Sequence, residues 1–228
     1  MVSPPSHRGP KAVKLDQQVL LAAAQRVFAK AGLEGASMRA IAREAGCDAS
    51  LIYYYFKNKE AVFTAVLDGR MPPLVAALRK LANPRDPRST AEKLWAVIQL
   101  FHTHAGDSGW RSMVRGQLGK GTDGISGLLA RKLIPAQVAM RAILRRGLRR
   151  GELRPGLSLI LLLAFLIRME AELLDLVPVY AKVFGGMEPE EALLLAERTW
   201  FDVFWRGVAA DPLAPLCFLP PLPTLENV

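Results

Sequence analysis

The sequence contains little cysteine and little histidine, which limits the metal and redox chemistry available to it. Two cysteines, Cys47 and Cys217, and three histidines occur in 228 residues. This is too few cysteines for a disulfide framework or a four-ligand zinc site. His102 and His104 would face different sides of a helix, so they do not predict a shared metal site. We therefore expect no cofactor, and we interpret Cys47 as a small residue filling a turn rather than a redox-sensing thiol.

Long apolar segments and catalytic motifs are also missing. Residues 159–167 are apolar on every face, but a membrane-spanning helix needs about 20 such residues. Residues 1–14 hold no apolar stretch typical of a signal peptide. No GxSxG, HExxH or CxxC motif occurs, although an acid–base pair brought together by folding stays open. These absences predict a cytoplasmic protein that is not an enzyme and has no membrane partner.

Positive charge is in excess, particularly near the N-terminus. The net charge is +9 at pH 7, and residues 1–60 hold nine Lys and Arg against five Asp and Glu. A basic balance indicates an acidic partner but does not distinguish DNA from a membrane surface. Residues 1–14 are interpreted as a flexible basic arm, either a disordered tail or a segment that follows the minor groove of DNA.

Residues 37–60 have the pattern of two short helices joined by a tight turn. Ser37 can cap the first helix, whose apolar positions share one face: Met38, Ile41, Ala42 and Ala45. Gly46 suits the left-handed conformation that ends a helix, and Asp48 is a plausible N-cap for the next. So short a turn makes the helices cross, as in a helix-turn-helix unit. The second helix of such a unit enters the major groove of DNA.

The second helix, residues 49 to about 56, has one small end and one anchoring face. Ala49 and Ser50 at its start allow close approach to a duplex. Ile52 and Phe56 lie one turn apart, so we expect them to anchor the helix to the core.

Aromatic and basic side chains complete this segment. Tyr53, Tyr54 and Tyr55 point in different directions, so at least two are predicted to be exposed to phosphates or thymine methyl groups. Lys57 and Lys59 lie where the next helix starts. Ammonium groups and free helix N–H groups both attract phosphate there.

These residues resemble the N-terminal domain of TetR/AcrR-family transcriptional regulators over about residues 15–67. The matching positions occur in the expected order without gaps: Leu20, Leu21, Ala23, Ala24, Phe28, Gly32, Ser37, Ile41, Ala42, Ala45, Gly46, Ile52, Tyr53, Tyr55, Phe56, Lys59 and Glu60. The resemblance implies phosphate contacts at Ser37, Tyr53 and Lys59. It also implies groove contacts at Arg39, Asp48, Ala49, Ser50, Tyr54 and Tyr55.

Two positions depart from the family pattern. Ser50 stands where glycine is preferred, and Asp48 stands where serine or threonine is usual. Because phosphate repels a carboxylate, Asp48 is interpreted as a helix cap or as an acceptor for a cytosine amino group rather than a phosphate contact.

Beyond residue 60 the pattern is helical without strand alternation, which predicts an all-α fold. A long helix is expected from Lys59 to Leu81, disturbed at Pro72 and Pro73, and another after a Ser89 cap. Breaks are expected at residues 106–109 and 119–124. One helix is expected to end at Leu133, and the next is expected to start at Pro135 and reach Arg150. The last two helices are expected to cover residues 157–177 and 189–210.

Four segments follow from this pattern. Residues 1–14 are the basic arm, and residues 15–60 are the helix-turn-helix DNA-binding domain. Residues 61–210 are a helical effector-binding and dimerisation domain, and residues 211–228 are a Pro-rich tail on which Phe218 and Leu219 can dock.

The last two helices carry more apolar surface than one subunit can cover. A helix that is apolar on every face needs covering on every side. The resemblance implies a two-fold four-helix interface, which predicts a homodimer, although a deeply buried helix in a monomer is the alternative. Two heads on one base would read a near-palindrome.

The middle helices are expected to hold an effector pocket. Its candidate residues combine aromatic, Met and Leu side chains with one histidine: Phe63, Met71, Leu74, Phe101, His104, Trp110, Met113, Leu118, Phe165 and Met169. Ordinary core packing is the alternative for each of them. They indicate a largely apolar small molecule, with any polar group near His104 or Arg168.

The sequence thus predicts a ligand-responsive repressor that binds double-stranded operator DNA as a dimer. Two alternatives stay open: an architectural DNA-binding protein with little sequence preference, and a small-molecule-binding or enzymatic protein whose basic head is incidental.

Overall fold

The computed structural model describes residues 16–117, 124–183 and 187–221. Within these ranges the chain forms nine helices: α1 Gln17–Gly35, α2 Met38–Ala45, α3 Ala49–Tyr55, α4 Lys59–Leu81, α5 Thr90–Ala105, α6 Ser108–Arg115, α7 Gly124–Arg149, α8 Leu159–Val183 and α9 Pro189–Val208. Strand pairing there is limited to an isolated bridge between Leu153 and Ala209. The predicted all-α fold is confirmed. The predicted basic arm and Leu118 lie outside the described residues.

The chain divides into two compact units between Val66 and Leu67. The N-terminal unit, called the head, contains α1 to α3 and the start of α4. Its core combines aliphatic and aromatic side chains from all four helices: Leu20, Ala24, Phe28, Ile41, Ile52, Val62 and Phe63. Phe28 and Phe63 meet edge to face with their ring centroids 5.3 Å apart. This core holds α2 and α3 in place.

The caps of the head helices lie where the sequence predicts them. The Ala40 backbone N–H donates to Ser37 Oγ over 3.1 Å, and the Ser50 N–H donates to Asp48 Oδ1 over 2.7 Å. Gly46 adopts a φ of 67°, and its N–H bonds to the last carbonyls of α2. Each cap satisfies backbone groups that the helix itself leaves without partners. These three predictions are confirmed.

The C-terminal unit, called the body, begins at Leu67. Its core joins the second half of α4 to α5, α7, α8 and α9 through large apolar side chains: Leu78, Leu94, Ile98, Met140, Ile143, Leu144, Leu166, Phe201 and Phe204. The predicted Ser89 cap is a full capping box, because the Ser89 N–H also donates to Glu92 Oε2 over 2.7 Å. Phe218 of the tail packs against Phe201, with their centroids 6.4 Å apart.

Three helices differ from the prediction, two in their boundaries and one in its continuity, because prolines do not interrupt them. α4 continues through Pro72 and Pro73, which are exposed, so water can solvate the carbonyl groups they leave unpaired. α7 is one helix through Pro135, and buried residues on both sides of that proline hold it in place. α8 runs through Pro178 to Val183, beyond the predicted end at residue 177.

Among the described helices, α4 has the length and hydropathy of a bilayer span. Its apolar residues have another explanation within the head. Val62, Phe63 and Val66 are each at most 4% exposed, so they form part of a protein core. The core helix of a globular unit meets the same criteria of length and hydropathy.

Candidate DNA-binding surface

The helix α3 has one face in the head core and the other in solvent. Ile52 is 0% exposed and Phe56 is 8% exposed, which confirms that these two residues anchor the helix. On the other side Tyr54 is 80% exposed and Tyr53 is 57% exposed. Ser50 is exposed beside them at the start of the helix. The fold therefore presents the N-terminal and outer side chains of α3 to a partner.

The three tyrosines form an outward aromatic group. Tyr55 is 39% exposed, and its ring meets that of Tyr54 edge to face at 5.2 Å between centroids. Adjacent exposed aromatic side chains often mark an interaction surface, and tyrosine is enriched at interfaces. Each hydroxyl can donate to a phosphate oxygen, and each ring can contact a thymine methyl group. The prediction that at least two are exposed is confirmed, whereas their contacts with DNA stay a prediction.

Basic side chains border this surface. Arg39 and Lys57 are exposed. The Lys59 ammonium donates hydrogen bonds to the backbone carbonyls of Glu34, over 2.9 Å, and Ala36, over 3.2 Å. An ammonium group has three N–H donors, so Lys59 retains one beyond these two bonds. Lys59 is thus held in a fixed position instead of swinging freely in solvent.

The polar side chains that cap the starts of α2 and α3 are also predicted to contact DNA. Ser37 is exposed, and its hydroxyl can still donate to phosphate while its oxygen caps α2. Hydrogen bonds from Ser50 lower the pKa of Asp48, so this residue stays a carboxylate and repels phosphate. Ala49, next to Asp48, is half-buried. The geometry agrees with a capping role for Asp48.

The thiol of Cys47 sits in the turn between α2 and α3. Burial raises its pKa, and the Asp48 carboxylate adds to this effect. A redox-sensing cysteine needs a lowered pKa. The environment of Cys47 is therefore that of a residue filling the turn.

The predicted effector residues do not all come together. Phe63 is a correction, because it lies in the head core against Phe28 and is 0% exposed. Met71, Trp110 and Met113 are buried in the body. The remaining residues of the middle helices are half-buried: Leu74, Phe101 and His104.

Two positions of the predicted set lie on a different surface. Phe165 and Met169 of α8 line a groove of about 700 Å³ between α8 and α9, together with Trp200 and Val203. Phe165 is 52% exposed and stacks on Phe204. The groove belongs to an apolar outer face rather than to an enclosed pocket.

A buried pair of acidic residues was missed by the sequence analysis. Glu170 of α8 and Glu197 of α9 are 1% and 2% exposed. The helical period gives a signal, because Glu170 shares the buried face of α8 with Leu163, Leu166 and Leu173. A charged residue on an otherwise apolar face is a candidate for a specific role.

Comparisons with known proteins agree with this geometry. The family model described as "Bacterial regulatory proteins, tetR family" matches residues 20–66, which contain every residue of the surface described above. No curated protein sequence is significantly similar to the chain.

Solved structures share the fold over most of the chain. SmeT of Stenotrophomonas maltophilia, the repressor of a multidrug efflux pump, is 23% identical, with a TM-score of 0.62 and coverage of 92% of this chain and 98% of SmeT. The ketosteroid regulator KstR2 of Mycobacterium tuberculosis is 18% identical, with a TM-score of 0.66 and coverage of 86% and 96%. FadR of Bacillus subtilis, solved with stearoyl-CoA, is 22% identical, with a TM-score of 0.58 and coverage of 79% and 97%. Residues 20–66 thus match the family of tetR-type bacterial regulatory proteins, and the chain shares its fold with these solved regulators.

Proposed function

We propose that the protein is a repressor that binds a near-palindromic operator as a homodimer and leaves it when a largely apolar small molecule binds the body. The observation that carries the DNA-binding part is the division of α3 into two faces. Ile52 and Phe56 hold it to the head, while Ser50, Tyr53 and Tyr54 face outward. Because the core already fixes α3, only its outward side chains lose conformational freedom when they contact base edges.

The homodimer is supported by the apolar outer face of α8 and α9. Seven large hydrophobic side chains there are 40–69% exposed: Ile160, Leu161, Phe165, Leu176, Val179, Val183 and Val203. Contiguous exposed apolar patches of this kind mark interaction surfaces. A second copy is the occupant we propose, because the same patch on two copies is self-complementary about a two-fold axis.

The effector is supported by the apolar and aromatic composition of the body. Met71 of α4 and Trp110 and Met113 of α6 are buried in the body. One related structure was solved with stearoyl-CoA and another with triclosan. A ligand that binds the DNA-incompetent state about 100-fold better shifts the equilibrium by about 2.7 kcal/mol, which is enough for a switch.

Selection of duplexes from a random-sequence library tests this proposal. The full chain should enrich duplexes with two inverted half-sites at fixed spacing. Enrichment of a single half-site would remove the dimeric mode of reading. No enrichment, with all duplexes bound alike, would favour the architectural alternative, whose affinity comes from phosphate contacts alone.

A further inference from the structure

The long helix α7 carries positive charge and no negative charge of its own. The net charge of the whole chain is +9, and α7 holds six basic residues without any Asp or Glu: Arg131, Lys132, Arg141, Arg145, Arg146 and Arg149. One side of the helix is buried in the body through residues such as Leu129, Met140 and Leu144. The proposed function makes no use of the cations on the other side.

Seven residues on that other side form a continuous row, called the α7 stripe. At about 100° per residue they lie within about 100° of one another around the helix axis, and most follow at steps of three and four. From first to last they span about 27 Å. Six are exposed and Arg141 is half-buried: Arg131, Ile134, Val138, Arg141, Ala142, Arg145 and Arg149.

The arginines of the stripe lack counter-charges within the described part of the chain. The ion pairs of this region involve the neighbouring Lys132 and Arg150 instead. Arg141, Arg145 and Arg149 follow one another at intervals of four residues, which places like charges about 6 Å apart along the axis. Like charges at this spacing destabilise a helix. An anionic partner would relieve that repulsion.

The stripe is divided into an apolar end and a cationic end. Ile134 is 51% exposed and Val138 is 60% exposed, and they lie one turn apart in the N-terminal half of the stripe. The three arginines at intervals of four residues occupy its C-terminal half. A face that only meets water needs no such division, so the stripe fits a partner with both an apolar and an acidic part.

This division disfavours three other occupants. Helices that lie in a lipid surface carry an apolar face rich in Trp, Phe and Leu along their whole length, whereas the apolar part here is one end with only small aliphatic side chains. A nucleic acid offers phosphates along its whole length, which leaves the apolar end without a partner. A second copy of the stripe would place arginines against arginines or against the apolar end, and like-charge contacts are unfavourable.

We propose that the α7 stripe binds an acidic amphipathic helix of a protein partner in antiparallel orientation. Partner carboxylates would form charge-assisted hydrogen bonds with Arg141, Arg145 and Arg149, and partner aliphatic side chains would pack on Ile134 and Val138. Acidic side chains stabilise a helix best near its N-terminus. Only an antiparallel arrangement brings that end to the cationic C-terminal half of α7. The inference goes beyond the proposed function, because it uses neither the head nor the effector.

Fluorescence anisotropy of labelled synthetic peptides with the full chain tests the inference. Two peptides of about 20 residues match the length of the stripe. Both have capped ends and are held helical by a hydrocarbon staple on the face away from the stripe. One carries Glu in its N-terminal half and Leu in its C-terminal half, at steps of three and four, and the other has the same residues in reverse order. The first should bind at least about tenfold more tightly.

Arg145→Gln combined with Arg149→Gln should remove most of this difference. Both side chains are exposed, so the changes should leave the fold intact. The matched control combines Arg79→Gln with Lys80→Gln, which removes two exposed cations from the end of α4 and changes the net charge equally. The control should leave the difference between the peptides almost unchanged. Val138→Ser should weaken the first peptide about threefold, even at high salt, where charge interactions are screened.

Anionic vesicles and a duplex of random sequence separate the other occupants. The vesicles contain equal parts of phosphatidylglycerol and phosphatidylcholine, and binding to them or to the duplex should fall by the same factor in the arginine variant and in its control. Equal binding of the two peptides, no binding of either, an undiminished difference in the arginine variant, or a selective loss of vesicle or duplex binding in that variant would overturn the inference. Each of these results would leave operator selection by the head, and with it the proposed function, unaffected.

Discussion

The Lys59 ammonium donates a hydrogen bond to the backbone carbonyl of Ala36 over 3.2 Å, within the head. A second bond to the Glu34 carbonyl fixes the same group at the end of α1. Carbonyl groups at a helix C-terminus attract a cation. Lys59 thus ties the start of α4 to the segment before α2, in addition to its predicted phosphate contact.

Lys59→Ala should lower both DNA affinity and stability. Loss of one phosphate contact should weaken specific and random duplexes about equally and reduce the slope of log K against log salt by about 1. Loss of the two carbonyl bonds should reduce the free energy of unfolding by about 1–2 kcal/mol. Anisotropy titrations over a range of salt concentrations and urea unfolding measure the two effects.

Lys57→Ala is the control, because Lys57 is exposed. It should reduce the salt slope with little change in stability. An unchanged salt slope in Lys59→Ala would assign Lys59 to the head structure alone.

Tyr54→Ala should weaken specific binding far more than binding to random sequence. Tyr54 is 80% exposed, so the change should leave the fold intact. A good base contact contributes about 1–3 kcal/mol of discrimination, which corresponds to at least a fivefold loss on the operator alone. Tyr54→Phe separates the hydroxyl from the ring. Equal losses on operator and random duplex would make Tyr54 a backbone contact.

Val203→Glu should disrupt the proposed homodimer. Val203 is 68% exposed on the apolar outer face of α9, and a buried unpaired carboxylate at an interface is strongly unfavourable. Sedimentation velocity should show a shift from dimer to monomer at micromolar concentration. Val138→Glu on α7 is the control, since Val138 is 60% exposed outside that face. The same sedimentation coefficient for Val203→Glu and the unaltered protein would argue against this interface.

Arg111→Ala should be strongly destabilising. The Arg111 guanidinium donates to Asp175 Oδ1 over 2.6 Å and to the Gly106 carbonyl over 2.7 Å, so it joins α6 to α8 and to the loop before it. Its side chain is 6% exposed, whereas Asp175 is 29% exposed and keeps Arg115 as a second partner, so loss of the hydrogen bonds of Arg111 should cost about 2–3 kcal/mol. Urea unfolding measures this loss.

Arg168→Ala supplies the comparison. Arg168 pairs with Glu172 on the surface, with side chains that are 69% and 41% exposed. Exposed pairs contribute about 0–1 kcal/mol. Similar losses in Arg168→Ala and Arg111→Ala would show that burial of Arg111 does not control its contribution.

The stability of the protein should fall with rising pH because of Glu170. Its folded-state pKa is about 9, above the ordinary value of about 4.3 that an unfolded chain gives. Between these values the folded state binds one more proton than the unfolded state. The stabilisation of the folded state that results from this extra bound proton is fully present below about pH 4.3. It is lost at up to about 1.4 kcal/mol per pH unit as the pH rises towards 9.

Glu170→Gln should remove that slope and increase stability most at high pH. Urea unfolding at pH 5, 7 and 9 gives the difference between variant and unaltered protein, which should grow with pH. The Glu172→Gln variant should show no such trend. A constant difference at all three values would show that Glu170 ionises normally in the folded protein.

Local features of the head could be predicted from its sequence, because they depend on neighbouring residues. Ser37, Gly46 and Asp48 determine helix ends through their own side chains or backbone freedom. The anchoring of Ile52 and Phe56 follows from helical spacing. Here local preference and tertiary packing agree.

Features of the body could be predicted less well, because they depend on contacts distant in sequence. Pro135 indicates a helix start by local rules, but packing on both sides of it keeps α7 continuous. Phe63 has the character of a pocket residue, yet Phe28 from α1 covers it. The approach of Glu170 to Glu197 exists only after α8 packs on α9.

The most direct test of sequence-specific DNA binding compares an operator duplex, obtained by selection, with a scrambled duplex of the same length. Fluorescence anisotropy at near-physiological salt should show preference for the operator by about 10³-fold or more. The Tyr54→Ala protein should show a preference that is at least about fivefold smaller. Equal affinity of the unaltered protein for both duplexes would contradict sequence-specific repression. It would indicate a protein that binds DNA without sequence preference.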